Sequence, residues 1–360
     1  MSSLDDLGPV RAQPGVPLYV AVREKMLEAI RSGRFQPGDR LPSTKEMSRK
    51  LAVSLVTTHR ALQELETFGV IDRMQGRGTF ISDRTNGAGR DLRIGLLMQP
   101  DASLADYYHG QVLEGMHRAA REKRCELTII QRFDRGRPNC RAFVLVNPMD
   151  QQIRDLGPLE DTDAPVLLVG ARSGEHPWID VNNRDLVHEA LAHLQRLGHR
   201  RIVFLGGADE LSNSRDRMDG FRDSCTKLGL TTPDEDGVIL ARGWRLEHDE
   251  RMALGRALTG PDRPTAVLAA GYYLALDVFQ AAAVLGLSVP DDLSVIGFDD
   301  PPSAEHLDPP LSTLRQPLIQ LGYSAIDAAV DLIVDPESAQ RTQSLQGNLV
   351  IRQSSGSAPT

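Results

Sequence analysis

The sequence predicts an α/β protein in which a short, helix-rich head with a β-hairpin precedes a longer body built on parallel sheets. Three observations predict it. In residues 16–84, apolar side chains recur at helical spacing, and two short β-type runs follow them. From residue 92 onward, apolar runs of strand length alternate with amphipathic stretches, the pattern of parallel strands joined by crossovers. At 360 residues the chain exceeds one ordinary core and suits a small unit followed by a two-lobed one.

Composition bounds the function. With 41% hydrophobic and 25% charged residues the chain reads as soluble and globular. No apolar run approaches the roughly 20 residues of a bilayer span. The start, "MSSLDDLGPVRAQPG", is polar and acidic, without the apolar core of a secretory signal. A cytoplasmic protein with no membrane partner is expected. Cys125, Cys140 and Cys225 form no CxxC pair and read as small buried apolar residues in a reducing compartment. The net charge is −8, unevenly spread. Residues 1–84 hold 13 Lys+Arg against 10 Asp+Glu, or +3; the remainder holds 28 against 39, or −11. A basic head on an acidic body is the asymmetry expected if only the head meets phosphate.

The head is read element by element. Leu18, Val22, Met26, Leu27 and Ile30 share a helical face, and Gly33 stands where that helix should stop. "FQPGDRLPS" is turn chemistry. "STKEMSRKL" opens with a capping box, Ser43 accepting from the Glu46 amide while Glu46 reaches back. Ser54 is a second N-cap, for a helix running to about Phe68 with Gly69 past its end. "VIDRM" and "TFISD" flank the glycine-rich "QGRG" as two short strands. This is the order of a winged helix-turn-helix. In its third helix, Thr58, Ala61, Leu62 and Leu65 should pack inward, leaving Leu55, Val56, Thr57, His59 and Arg60 outward.

In the body, "LRIGLLM", "CELTII", "RAFVLV", "APVLLVG", "RIVFLGG", "TAVLAAG" and "LSVIGFD" read as strands. "YHGQVLEGMHRAAREK", "RDLVHEALAHLQRLG", "RMDGFRDSCTKLG", "RMALGRALT" and "LALDVFQAAAVLG" read as the main helices. Only "DRGRPNC" is available between the second and third strands, where a parallel crossover takes about a dozen residues, so one helix there should be lost or shortened. The expected organisation is a disordered tail (1–15), the head (16–84), a linker (85–91) and a two-lobed effector-binding and dimerisation domain (92–355).

The head's blocks "PLY", "GRFQPGDRLPS", "RALQELETFG" and "QGRGTF" resemble the DNA-binding domain of the GntR family. "DVNNRDLVHEALAHLQRLGHRRIVFLGG", "SRDRMDGF", "LSVIGFDD" and "PPLSTLRQ" resemble, in order, the effector domain of LacI-type repressors, similar to periplasmic sugar-binding proteins. The combination resembles the arabinose-responsive class of bacterial repressors. The resemblance implies a ligand-responsive regulator that binds a palindromic operator in double-stranded DNA as a homodimer, with a sugar-like effector in the cleft of a periplasmic-binding-protein-like body.

Site residues follow. Ser43, Lys45, Ser54, Leu55, Val56, Thr57, His59 and Arg60, with Gln75, Gly76, Arg77 and Gly78 of the wing, are the expected DNA contacts. Lys45, Thr57, Arg60, Gln75 and Arg77 should position phosphates. Gly76 and Gly78 should allow close approach, and Arg77 could enter the minor groove. Family members usually carry arginine where this chain has Leu55 and His59. Without a bidentate arginine–guanine pair, Leu55 and Val56 can touch thymine methyls, favouring A·T-rich half-sites; the alternative is that Leu55 packs against its own domain.

In the body the resemblance maps Asp299 to a carboxylate for ligand hydroxyls, Arg217 to a donor, Trp244 to a stacking wall, Tyr107 or Tyr108 to an aromatic pair, and Gln316 to a polar crossover residue. Against this, Asp299 could cap its loop, Arg217 could pair with Asp219, and Trp244 could be core. Relatives often carry Asp where this chain has Gly170, and Asn-Asp where it has Gly271-Tyr272. Either Tyr272, Arg172 or His176 substitutes, or the effector is no ordinary sugar. An enzyme is the unlikely alternative: GxGxxG, Walker A, HExxH and GxSxG are absent, and no cofactor, metal or catalytic residue is expected. A sensor with degenerate, non-specific DNA binding is the other alternative, motivated by Leu55 and His59.

Overall fold

The computed structural model describes residues 8–10, 17–32, 34–36, 38–67, 70–74, 77–82, 92–99, 103, 106–130, 140–157, 164–231, 238–260, 262–334, 339 and 341–359. The expected helix stop at Gly33, Phe68–Gly69, the wing residues Gln75 and Gly76, the linker 85–91 and most of "DRGRPNC" fall outside them.

In the head, α1 (Leu18–Arg31) buries Val22, Met26 and Leu27. The α2 helix (Thr44–Leu51) starts on the expected capping box: the Glu46 amide donates to Ser43 Oγ (3.3 Å) and the Ser43 amide to Glu46 Oε2 (2.9 Å). Ala52, at φ +55°, turns the chain into α3 (Leu55–Thr67), whose Thr57 amide donates to Ser54 Oγ at 3.0 Å. The inward set Thr58, Ala61, Leu62 and Leu65 is fully buried. The wing strands β2 (Ile71–Met74) and β3 (Gly78–Ile81) pair antiparallel, and β3 also pairs with β1 (Arg40–Leu41), a strand the sequence reading did not include. The expected disordered tail is corrected over Gly8–Val10: Val10 N–H donates to Leu51 O (2.9 Å) and Lys25 Nζ to Pro9 O (3.0 Å).

Among the described residues the body has two six-stranded sheets. The first orders β14 (Thr342–Leu345), β8 (Trp178–Val181), β7 (Val166–Val169), β6 (Ala142–Val146), β4 (Arg93–Leu97) and β5 (Glu126–Ile130), all parallel. The second orders β10 (Val238–Leu240), β9 (Ile202–Gly206), β11 (Ala266–Ala269), β12 (Ser294–Phe298), β13 (Ser312–Arg315) and the antiparallel β15 (Asn348–Val350). The first lobe carries α4 (Tyr107–Lys123), the short α5 (Asp150–Arg154) and α10 (Leu318–Val334). The second carries α6 (Asn183–Arg196), α7 (Ser212–Leu228), α8 (His248–Ala257) and α9 (Tyr272–Leu285).

The chain crosses between lobes after β8, after β13 and after β14, so the C-terminal segment completes both sheets. The body also runs past residue 355: Gly356 N–H donates to Ser294 Oγ (3.0 Å) and Ala358 N–H to Leu197 O (2.8 Å). One apolar core continues from the head through α4 and α10 into the lobes.

Candidate functional site

Ligands of open α/β sheets bind beyond the carboxyl ends of strands, and the cleft between the lobes is built there. The first turn of α4 supplies Tyr107, Tyr108 and His109, with Asp106 as N-cap holding His109 Nδ1 at 2.9 Å. Asn147 follows β6, Asp299 follows β12 and Gln316 follows β13. Asn213 and Arg217 project from α7, and Gly271, Tyr272 and Tyr273 open α9. With Trp244 these residues enclose a cavity of about 40 Å³. That holds about three waters and is well below the roughly 300 Å³ of a usual ligand pocket. A larger ligand therefore enters with movement of the lobes or of the aromatic walls.

Arg217 is locked in place. Its Nε donates to Asn183 Oδ1 (2.8 Å), its Nη1 to Ala270 O (2.6 Å), and its guanidinium lies 3.9 Å over the Phe298 ring and 5.7 Å from that of Trp244. It does not pair with Asp219, which Arg184 holds at 2.6 Å. Asp299, at φ +64°, accepts from Gln316 Nε2 at 2.7 Å. Burial pushes its carboxyl above the usual range, with Arg217 and Gln316 opposing. Tyr108 OH, His109 Nε2 and Asn213 Oδ1 are buried with no hydrogen-bond partner among the described residues. Three residues that line the cavity thus carry orphaned polar atoms, a docking set for a hydroxylated ligand.

Gly170 and Gly271 acquire a steric reason. At Gly170 (φ +70°) a Cβ would collide with the Tyr108 hydroxyl; at Gly271 it would stand 3.0 Å from the Trp244 ring, and at Gly207 2.9 Å from it. The space beside these glycines is filled by aromatic walls. Tyr272 lines the cavity, its hydroxyl donating to Ser303 Oγ at 2.8 Å.

Arg172 is a correction. It lies over the Trp178 ring (4.9 Å), pairs with Asp180 and Asp216 (3.3 Å each), and lines a separate outer pocket of about 430 Å³ rather than the inner cavity. A buried acid, Asp180, captures it. His176 lines neither pocket. Sequence reading missed Asp106, His109, Asn147, Asn213 and Tyr273. The "DYYH" run at the start of a helix was the available signal for two of them.

On the head, Leu55 is 53% and Val56 78% exposed, with His59 exposed beside them, so Leu55 does not pack into its own domain. Ser54 and Thr57 join hydroxyls at 2.7 Å. Lys45, Ser43 and Arg77 are exposed. Arg40 and Lys50, both missed, line a groove of about 600 Å³ with Ser43, Gly78 and Thr79. Gly78 (φ +116°) leaves room for Arg40: a Cβ would stand 2.8 Å from its Nε. Arg60 is corrected. Its guanidinium lies 4.1 Å over the Tyr19 ring and 3.7 Å from Asp331 of α10, turned to the body instead of the open reading face.

The description "Bacterial regulatory proteins, gntR family" matches residues 18–81, and "Periplasmic binding protein-like domain" matches 191–355. The chain joins a GntR-type head to a LacI-type body. The arabinose metabolism transcriptional repressor of Geobacillus stearothermophilus is 26% identical over 94% of this chain and 95% of its own length. The HTH-type transcriptional regulator MalR of Streptomyces coelicolor is 31% identical; the match covers 64% of this chain and 60% of that protein. A solved regulatory protein of the LacI family from Chloroflexus aggregans superposes with a TM-score of 0.63 at 26% identity, over 73% of this chain and 98% of that one. These relatives of the GntR–LacI-type chain are transcriptional regulators, not enzymes.

Proposed function

We propose that this GntR–LacI-type chain is a cytoplasmic repressor that binds a palindromic operator as a homodimer and responds to a sugar or sugar derivative in the cleft. The observation that carries the reading is the aromatic cavity around Arg217 and Asp299 with three unpartnered polar atoms, Tyr108 OH, His109 Nε2 and Asn213 Oδ1. A polyhydroxylated ring supplies donors and acceptors to each, and its apolar faces suit Trp244 and the tyrosines.

A thermal-shift screen of monosaccharides, sugar acids and nucleosides tests the cleft. A binder of the native state raises stability by RT ln(1 + [L]/Kd), about 2.7 kcal/mol at 100 Kd. A shift that disappears in Asp299→Asn supports the reading; a shift that persists unchanged there places the ligand elsewhere. For the head, Leu55 and Val56 favour A·T-rich half-sites. Leu55→Arg should raise affinity for guanine-containing duplexes, and equal affinity of parent and variant would remove the thymine-methyl contact. A steep salt dependence without preference for the upstream DNA of its own gene would favour the non-specific sensor.

A further inference from the structure

Two helices of the first lobe begin in the cleft and end under the head. The first turn of α4 lines the cavity with Tyr107, Tyr108 and His109, and its last residue, Lys123, forms an ion pair with Asp327 of α10. Gln316 stands two positions before α10 in the cavity wall, and Asp331 near the far end of α10 meets Arg60 of α3. Each path covers about 20 Å at 1.5 Å per residue. The helices run in the same direction and touch backbone to backbone. A Cβ on Gly115 would overlap the Ile319 carbonyl oxygen, and one on Gly322 the Val112 carbonyl oxygen. Tyr323 OH adds a hydrogen bond to Glu122 Oε2 at 2.7 Å. So tight a pair moves as one body.

At the head end, Arg60 is sandwiched. Tyr19 of α1 holds one face of its guanidinium, Asp331 lies 3.7 Å from Nη2, and its Nε is buried without an acceptor among the described residues. Leu55, Val56 and His59, earlier on α3 than Arg60, stay open to solvent. The contact therefore aims the recognition helix without covering its reading face.

We propose that α10 is the docking surface for the head, and that the α4–α10 pair transmits the state of the cleft to the recognition helix through Asp331 and Arg60. This rests on the reading of the head as a DNA-binding unit and of the cleft as a ligand site. Ligand entry into so small a cavity displaces the first turn of α4 or Gln316, and the glycine-sealed pair carries that displacement to Asp331. Coupling is reciprocal, so duplex binding at the head must alter the cleft.

Reciprocity allows a test without a known effector. The chain has two tryptophans, and Trp178→Phe leaves Trp244, in the cavity wall, as the sole indole. The probe is a short, fluorescein-labelled, mixed-sequence duplex at low salt, with anisotropy reporting binding and acrylamide quenching of Trp244 reporting the cleft. Saturating duplex should change the quenching slope in this background and in the control Asp262→Asn, which removes an exposed acid far in sequence from the contact. In Asp331→Asn the duplex should still bind and the slope should keep its free value. An unchanged slope at saturating duplex, or the same change in Asp331→Asn, overturns the proposal. Absence of any anisotropy change in the parent overturns instead the DNA-binding reading beneath it. If Trp178→Phe does not fold, hydrogen exchange of residues 107–112 in the otherwise unsubstituted chain reads the same end of α4 with the same outcomes.

Discussion

Replacing Gly322 by alanine probes the tightest approach at any of the described glycines. The new Cβ would overlap the Val112 carbonyl oxygen and stand 2.8 Å from its carbon and 3.0 Å from the Met116 nitrogen. Ordinary contacts begin near 3.4 Å, so α4 and α10 must part by more than half an ångström, and backbone cannot rotate aside. Overpacking of this kind costs about 1–3 kcal/mol. Parting also loosens Val112, Met116, Ala119, Ala325 and Ile326, all buried, and a gap of ~0.5–1 Å forfeits a quarter to a half of each dispersion contact. Alanine's helix preference returns about 1 kcal/mol and the lost dispersion roughly offsets it, so the net loss is about 1–3 kcal/mol. Urea unfolding followed by circular dichroism reads it as a lower midpoint. Gly255→Ala, in α8 with nothing within 4 Å of the new Cβ, should stabilise by up to about 1 kcal/mol. A Gly322→Ala protein as stable as the parent would refute the reasoning.

Other substitutions separate the remaining contributions. Tyr108→Phe removes a buried hydroxyl that has no partner among the described residues, so the free protein should keep or gain stability, by about 1 kcal/mol, while any cleft ligand found by thermal shift should bind more weakly. A large loss of stability in the ligand-free protein would mean the hydroxyl is already satisfied. Arg23→Met leaves Glu64 buried without the guanidinium that lies 2.6 Å from it, and should cost about 3–5 kcal/mol in the head; a neutral effect would show that Glu64 is not left as an uncompensated buried charge. Asp180 sets a pH dependence. Burial raises its carboxyl to about 6, so the folded chain holds the proton after the unfolded chain, near pH 4, has released it. Its contribution is therefore full below about pH 4 and is lost as pH climbs through 6, by at most about 3 kcal/mol. Asp180→Asn should gain on the parent across that window in urea titrations, and parallel profiles would contradict the assignment.

The sequence exposed most of what repeats and little of what converges. Helical spacing located α1 to α4, and continuous apolar runs such as "AFVLV" located the buried strands, because each signal is local. The α10 helix, "LIQLGYSAIDAAVDLIV", was missed although Gln320, Ser324, Asp327 and Asp331 recur at helical spacing; its wide apolar surface packs against α4, the sheet and the head at once. Short β8, β10, β13, β14 and β15 escaped because partners from distant sequence, not propensity, make them strands. In the cleft, Arg217, Asp299, Trp244 and Gln316 were legible through resemblance, whereas Asn147 and Asn213 meet only across the two lobes, Asn213 Nδ2 donating to Asn147 Oδ1 at 2.9 Å. Arg60 was misread because helical periodicity places a residue on a face and says nothing of a second domain waiting there. The roles of Gly170 and Gly271 became physical once Tyr108 and Trp244 were seen to fill the space beside them.

The most direct test of a ligand-controlled repressor joins both ends in one titration. The duplex is taken from upstream of the protein's own gene, and its affinity is measured by anisotropy at fixed salt, with and without the compound that raises the melting temperature most. Coupling of 1–3 kcal/mol changes the dissociation constant roughly 5- to 150-fold, and the account predicts a change in that range that vanishes in Asp299→Asn. A compound that fills the cleft and leaves duplex affinity untouched would contradict it.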